Sequence, residues 1–211
     1  MKGNLIIITS PSGGGKGTLI AELMKRGVGI GYSVSYTTRP MRVNEVEGKD
    51  YSFISVEEFE RRISNDEFLE YATVHGNYYG TSRARVESLV DEGVDVILEI
   101  DVQGAADVLK KLPEAVSIFI LPPSFQELEQ RLRSRKTEDR EQLETRLRNS
   151  FEEVRRYNEF EFVVINDNIA DAVRRLESVI LGERQRRTRQ TVHIRDILNN
   201  FEASKDVLSD E

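Results

Sequence analysis

The sequence predicts an α/β fold in which a central parallel sheet is flanked by helices and carries an inserted subdomain and a helical lid-like hairpin. Three observations lead there. Four short apolar runs (Leu5–Thr9, 94–100, 117–121 and Phe162–Ile165) are continuous rather than alternating, the pattern of strands covered on both faces. Between them lie stripes of apolar residues at helical spacing, and strands alternating with helices imply parallel crossovers. Finally, the stretches 33–82 and 127–156 break that rhythm.

Taken in order, Leu5–Thr9 is the first strand and Leu19, Leu23 and Met24 mark the helix after it. The stretch 33–82 is rich in Tyr, Thr, Gly and Arg, with strand-like pieces at 33–38 and 51–55 and a short helix near 57–63; it is expected to be the inserted subdomain. Val86, Leu89 and Val90 begin the return to the core rhythm. The strand 94–100, a helix through Val108, Leu109 and Leu112, the strand 117–121 and a helix through Phe125, Leu128 and Leu132 follow. The stretch 127–156 holds eight Arg, is broken by a polar segment at 136–140, and resumes with the stripe Leu143, Leu147, Phe151 and Val154, which predicts a helical hairpin. Phe162–Ile165 then forms the last strand, and Val173, Leu176 and Ile180 its covering helix. Beyond Gly182 the basic run Arg184, Arg186, Arg187 and Arg189 is expected to be a solvated helix end. An amphipathic helix with Ile194, Ile197, Leu198 and Phe201 on one face is expected to cover either the chain's own core or a second subunit. The organisation is therefore one domain over 4–182 (core 4–32, 83–126 and 157–182; subdomain 33–82; hairpin 127–156) with a helical extension over 183–211.

Composition narrows the function classes. The 211 residues are 38% hydrophobic and 32% charged, as in a globular chain able to bury a sizeable core. No apolar run reaches the roughly 18 to 20 residues of a membrane span, so a cytoplasmic protein is expected. The absence of Cys removes disulfides and thiolate chemistry, and two His leave no imidazole-rich metal site. A net charge of −7 argues against non-specific binding to nucleic acid or anionic membrane. Any anionic ligand must then be held by a local cluster of basic groups. Whether the chain works as a monomer or a homo-oligomer is open at this level.

Such a cluster follows the first strand. Ser10, Pro11, Ser12, Gly13, Gly14, Gly15, Lys16, Gly17 and Thr18 lie between a strand and a helix, the context in which a glycine-rich loop turns successive N–H groups onto phosphates. Lys16 adds a point charge able to follow a moving phosphoryl group. Two positions depart from the strict pattern, Ser10 for the first Gly and Gly17 for the hydroxyl residue after the Lys. A Mg²⁺ ion would then be held mainly by phosphates, with Thr18 a candidate helper and no firm protein ligand. A second cluster lies in the subdomain. Arg39 and Arg42 flank a Pro-stiffened turn, and Tyr51 and Tyr79 stand near glycines. Two guanidinium groups and two phenols converging would clamp a phosphate monoester. A solvated basic turn is the alternative for the two Arg alone.

With these motifs in this order, the sequence closely resembles bacterial guanylate kinases, which have a P-loop kinase fold, over about residues 4–182. The resemblance also rests on the stretches 45–51, 67–70, 76–81, 97–104, 121–124 and 164–167. It implies that Arg39, Arg42, Tyr51 and Tyr79 grip the phosphate of GMP while Ser35, Glu70, Thr81 and Asp101 read its base. The chemistry is consistent: guanine presents N1–H and N2–H₂ donors beside an O6 acceptor, and the carboxylate of Glu70 can accept from both donors. Hydroxyls of Ser35 and Thr81 can donate to O6 or N7. Such a site rejects the wrong base by ~10⁴-fold or more, because its buried polar groups would be left unpaired. Asp101 ends a buried run, which places it at the carboxyl edge of a parallel strand, where ligands bind. Whether Asp101 and Glu99 touch the nucleotide or a metal-bound water is not fixed by spacing.

The resemblance further assigns Arg131, Arg135 and Arg146 to a lid that contacts phosphates when closed, with Lys136 where relatives commonly have Gly. ATP and GMP would bind side by side, with Mg²⁺, Lys16, Arg39 and the lid arginines stabilising in-line transfer to give ADP and GDP. Asn166 and Asp167 would lie on the adenine side. Two other readings stay in view: a guanylate-kinase-like binding module, which intact Lys16, Arg39 and Arg42 oppose, and a kinase for another phosphorylated acceptor, which Glu70, Ser35 and Thr81 oppose.

Overall fold

The structure, a computed structural model, describes residues 2–43, 45–74, 76–134 and 140–208. In chain order its elements are β1 (Leu5–Thr9), α1 (Lys16–Lys25), β2 (Ile30–Tyr32), β3 (Tyr36–Thr37), β4 (Ser52–Phe53) and α2 (Val56–Ser64). β5 (Phe68–Val74), β6 (Asn77–Ser82), α3 (Arg83–Asp91), β7 (Asp95–Glu99), α4 (Val102–Lys111) and β8 (Val116–Leu121) follow. The chain closes with α5 (Phe125–Ser134), α6 (Arg140–Arg155), β9 (Phe162–Ile165), α7 (Ile169–Arg184) and α8 (Thr191–Leu208).

Five strands form one parallel sheet in the order β2-β7-β1-β8-β9. The continuous apolar runs follow from its two covered faces. Ile6 and Ile8 of β1 face α1 and α7 with Leu19, Leu23, Val173 and Leu176, while Leu5 and Ile7 face the other layer with Val86, Val108 and Phe119. Side chains of a strand alternate between faces, so a strand with two cores needs an apolar residue at every position. β2 is the strand that the apolar-run criterion missed. It is three residues long, contains Gly31 and is only half-buried, so it carries no such run.

The second sheet, β4-β3-β6-β5, lies wholly within residues 36–82 and has mixed polarity. Its strand-like pieces are shorter than expected, and its main element is the β5/β6 hairpin, which the polar residues Tyr, Thr and Asn hid from a search for apolar runs. This sheet has a core of its own. Phe59 of α2 stacks on Phe68 at 4.4 Å between ring centroids and on Tyr78 at 5.1 Å. Gly80 makes room for them, since a Cβ there would sit 2.9 Å from the edge of Phe59 and 3.0 Å from Phe68. Leu69, next in chain to Phe68, instead packs into the main core beside Leu98 and Val102.

One expectation for the C-terminal region is corrected. Arg184 is not part of a solvated helix end. Its Nε donates to Asp95 Oδ2 at 2.6 Å and its terminal nitrogen to the carbonyl of Val28 at 2.7 Å. Asp95 is 3% exposed and also accepts from the backbone and side-chain nitrogens of Asn4. A buried carboxylate demands such partners, and this one ties α7 to the amino-terminal edge of the sheet. The apolar stripe of α8 does not cover the chain's own core: Ile194, Ile197, Leu198 and Phe201 are exposed. Arg135 and Lys136 lie outside the described residues. Among the described residues no helix is long and apolar enough to cross a membrane.

Candidate active site

The glycine-rich loop connects β1, the middle strand of the sheet, to α1 at the carboxyl edge, where parallel strands place ligands. Gly13 (φ +84°) and Gly15 (φ +89°) take left-handed conformations open to glycine, which point neighbouring N–H groups into the concavity. Asn166, at the end of β9, is 3% exposed and buttresses the loop by donating from Nδ2 to the carbonyl of Gly14 at 2.8 Å. Its own carbonyl accepts from Arg131 at 3.0 Å. A Cβ on Gly15 would lie 2.3 Å from Asn166 Nδ2, so loop and buttress fit only with glycine there.

Lys16 stands at the first turn of α1 and donates to the carbonyl of Ile100 at 2.6 Å. Burial lowers the pKa of its ammonium, and Glu99, Asp101, Glu153 and Glu70 act against that shift. Two cavities flank the loop. One, of about 730 Å³, has the loop as its floor, Glu99 and Asp101 on one wall and Arg146 and Glu153 of α6 on the other. The second, of about 710 Å³, lies between Thr18, Arg131 and residues 166–170. Thr18 thus opens onto the side of Asn166 and Asp167, and Gly17 faces Glu99, whose Oε1 would be 3.3 Å from a Cβ added there. Tyr32 donates to Glu99 Oε2 at 3.2 Å, and burial followed by that carboxylate raises the pKa of its phenol.

The subdomain presents a second set of groups. Arg39 lies over the ring of Tyr51 at 5.3 Å, and the rings of Tyr51 and Tyr79 are 5.9 Å apart. Both terminal nitrogens of Arg39 donate to Glu45, at 2.7 and 2.9 Å. Hydrogen bonds from Arg39 and from the backbone of Arg42 hold the Glu45 carboxyl down to about 2. The Arg42 backbone belongs to this cluster while its side chain is exposed. Sequence reasoning assigned no role to Glu45, although an acid three residues beyond Arg42 is visible in the sequence.

Farther along the same sheet, Glu70 of β5 and Thr81 of β6 are cross-strand neighbours, 8% and 1% exposed. The Thr81 hydroxyl donates to Glu70 Oε1 at 2.6 Å. Its single proton is therefore directed at the carboxylate rather than free for O6 or N7, and the bond fixes the carboxylate instead. Burial raises the Glu70 carboxyl to about 6, against the Thr81 bond. Asp101 caps α4 by accepting the N–H of Gly104 at 2.7 Å, and Gly104 is where the two acids meet. A Cβ there would lie 3.2 Å from Glu70 Oε2 and 3.3 Å from Asp101 Oδ1. Ser35 is half-buried just before β3.

The loop-and-clamp arrangement has close counterparts. Residues 2–183 match the guanylate kinase family model. The chain belongs to the guanylate kinase family. A guanylate kinase of Neisseria meningitidis is 50% identical over 94% of this chain and 97% of its own length. One of Clostridium perfringens is 48% identical over 88% and 86%. The crystal structure of guanylate kinase from Anaplasma phagocytophilum superposes with a TM-score of 0.75 at 35% identity, covering 94% of this chain and 95% of that one. Guanylate kinases are ATP:GMP phosphotransferases, a reaction between two nucleotides. Of the arginines expected on the lid of a guanylate kinase, Arg131 touches the loop through Gly14 and Asn166, Arg146 lines the cavity above it, and Arg135 falls outside the described residues.

Proposed function

We propose that this chain transfers the γ-phosphoryl group of ATP to GMP or dGMP, giving ADP and GDP, with residues 10–18 as the ATP phosphate cradle and residues 33–82 as the GMP subdomain. The observation that carries the assignment of acceptor is Glu70: a buried carboxylate, held by Thr81 and facing Asp101, is suited to the N1–H and N2–H₂ edge of guanine. Adenine would offer it only a lone pair. Arg39, Arg42, Tyr51 and Tyr79 take the acceptor phosphate, whose incoming oxygens exchange with the Glu45 carboxylate for the guanidinium of Arg39. Asn166 Oδ1, buried without a hydrogen-bond partner among the described residues, is an acceptor beside the cavity suited to the adenine amine.

Because the acceptor is already an anionic phosphate, the protein has no proton to remove. Its task is to bring the two phosphates into line and to neutralise the charge spread over the moving group. Lys16, the loop amides, Arg39 and the arginines of 127–156 (Arg131, Arg135 and Arg146) provide that charge. Closure of this segment and of the GMP subdomain excludes water that would otherwise hydrolyse ATP.

The donors around the cradle suit Mg²⁺, which prefers oxygen ligands and keeps much of its water while binding through one or two carboxylates and the substrate phosphates. Glu99, beside the side-chain-free Gly17, is the carboxylate placed to hold its waters, with Asp101 next to it. When bound, the ion would screen the phosphate oxygens. The reaction belongs to purine nucleotide recycling in the cytoplasm, and the acidic surface is consistent with no nucleic-acid or membrane partner. A coupled assay of ADP release across a panel of nucleoside monophosphates tests the proposal: GMP and dGMP should be turned over at least 10³-fold more efficiently than AMP, and equal use of AMP would reject it.

A further inference from the structure

The inner face of α6 carries Gln142, Arg146, Asn149 and Glu153, three or four residues apart, into the cavity above the loop. Glu153 goes farther than its neighbours. Its Oε2 accepts the backbone N–H of Ser12 at 2.8 Å, a contact across 141 residues of sequence. The loop amides exist in this fold as an anion seat, and here one of them holds an oxygen anion that the protein itself supplies. Lys16 feels the same carboxylate. We propose that Glu153 is a tethered competitor for the phosphate seat, a positioning residue that holds α6 down on the loop until nucleotide displaces it.

The inference rests on reading the loop as the ATP phosphate site, and the physics is one of exclusion. An N–H directed at a carboxylate oxygen at hydrogen-bonding distance cannot also give a full bond to a phosphate oxygen, and a carboxylate beside a polyphosphate is repelled at short range where water is scarce. Arrival of the phosphates therefore exchanges one anion for another at Ser12 and releases Glu153. Arg146 lies two turns earlier on the same face of α6, so the same event frees the helix that carries this guanidinium. α6 would be coupled to occupancy of the donor site through this side chain.

The test is nucleotide binding to the full chain in the absence of GMP. Glu153→Gln removes the charge and Glu153→Ala removes the acceptor as well. Both should bind ADP and ATP about three- to tenfold more tightly by calorimetry, with Mg²⁺ and equally with EDTA, while GMP affinity changes less than twofold. KM for ATP should fall without a rise in kcat, and exchange of the Ser12 amide proton should quicken in the nucleotide-free variants. Unchanged or weaker binding in both variants would overturn the proposal. So would tighter binding in EDTA combined with weaker binding in Mg²⁺, which would mark Glu153 as a partner of the metal's waters. Lys16→Ala separates this inference from its premise: if that change leaves ATP affinity intact, the loop assignment itself fails, and if it weakens ATP while the Glu153 variants behave as wild type, only the competitor fails.

Discussion

As the proposed reader of guanine, Glu70 would have to be ionised in a place that disfavours charge. Its carboxyl is raised to about 6 by burial, while the ordinary value, and that of the unfolded chain, is near 4.5. A group with a raised folded pKa stabilises the fold below the unfolded value, and this contribution is lost as pH rises through the folded value, here between about 4.5 and 6. The shift corresponds to about 2 kcal/mol at neutral pH. Glu70→Gln keeps an acceptor for Thr81 and removes the charge, so it should raise thermal stability at pH 7 while costing the enzyme its discrimination against AMP. In the parent chain KM for GMP should climb as pH falls below about 6 and KM for ATP should not, and Glu70→Gln should flatten that profile. Glu45 cannot be the origin of such a change, because its carboxyl stays ionised down to about 2. The sequence motif pointed to Glu70 as the base reader. It did not reveal the bond from Thr81, which depends on a cross-strand register that only the folded hairpin sets.

Among the elements, the glycine-rich loop was the most legible, since strand, three glycines, lysine and helix are contiguous and the fold supplies only the buttress. That buttress makes Gly15 doubly constrained: an L-residue at φ +89° is strained, and its Cβ would collide with Asn166. Gly15→Ala should lower stability by about 2–3 kcal/mol in denaturant unfolding and raise KM for ATP at least about tenfold, with GMP binding retained. The four core strands with continuous apolar runs were equally readable, as both faces demand apolar residues. The β5/β6 hairpin was not, because its strands carry the polar residues of the site, and function displaced the hydrophobic pattern. Arg184 misled for a related reason: its partner Asp95 is 89 residues away, and no local pattern distinguishes an arginine that reaches a buried acid from one that faces solvent.

For the molecule as a whole, the order of elements conveyed the parallel sheet and the position of the inserted subdomain, while the arrangement of the two sheets required the structure. The main sheet carries the glycine-rich loop at its carboxyl edge, and the small sheet has an aromatic core of its own. Among the described residues, one tie across the seam between them lies at Leu69. Leu69 is sunk in the main core and its carbonyl accepts from Lys111 of α4 at 2.8 Å, immediately before Glu70 in the chain. Arg39 and Tyr51, by contrast, stand on the β3/β4 side of the small sheet, away from this anchor. The strand proposed to inspect the purine is thus pinned to the same body as Asp101, and a swing of the small sheet would carry the proposed phosphate grip farther than this strand. On the proposed assignment, discrimination would be complete at first encounter: the ratio of GMP to AMP affinity measured with neither ATP nor metal present should already equal most of the ratio seen in turnover, and a selectivity that emerged only with ATP bound would place the checkpoint elsewhere.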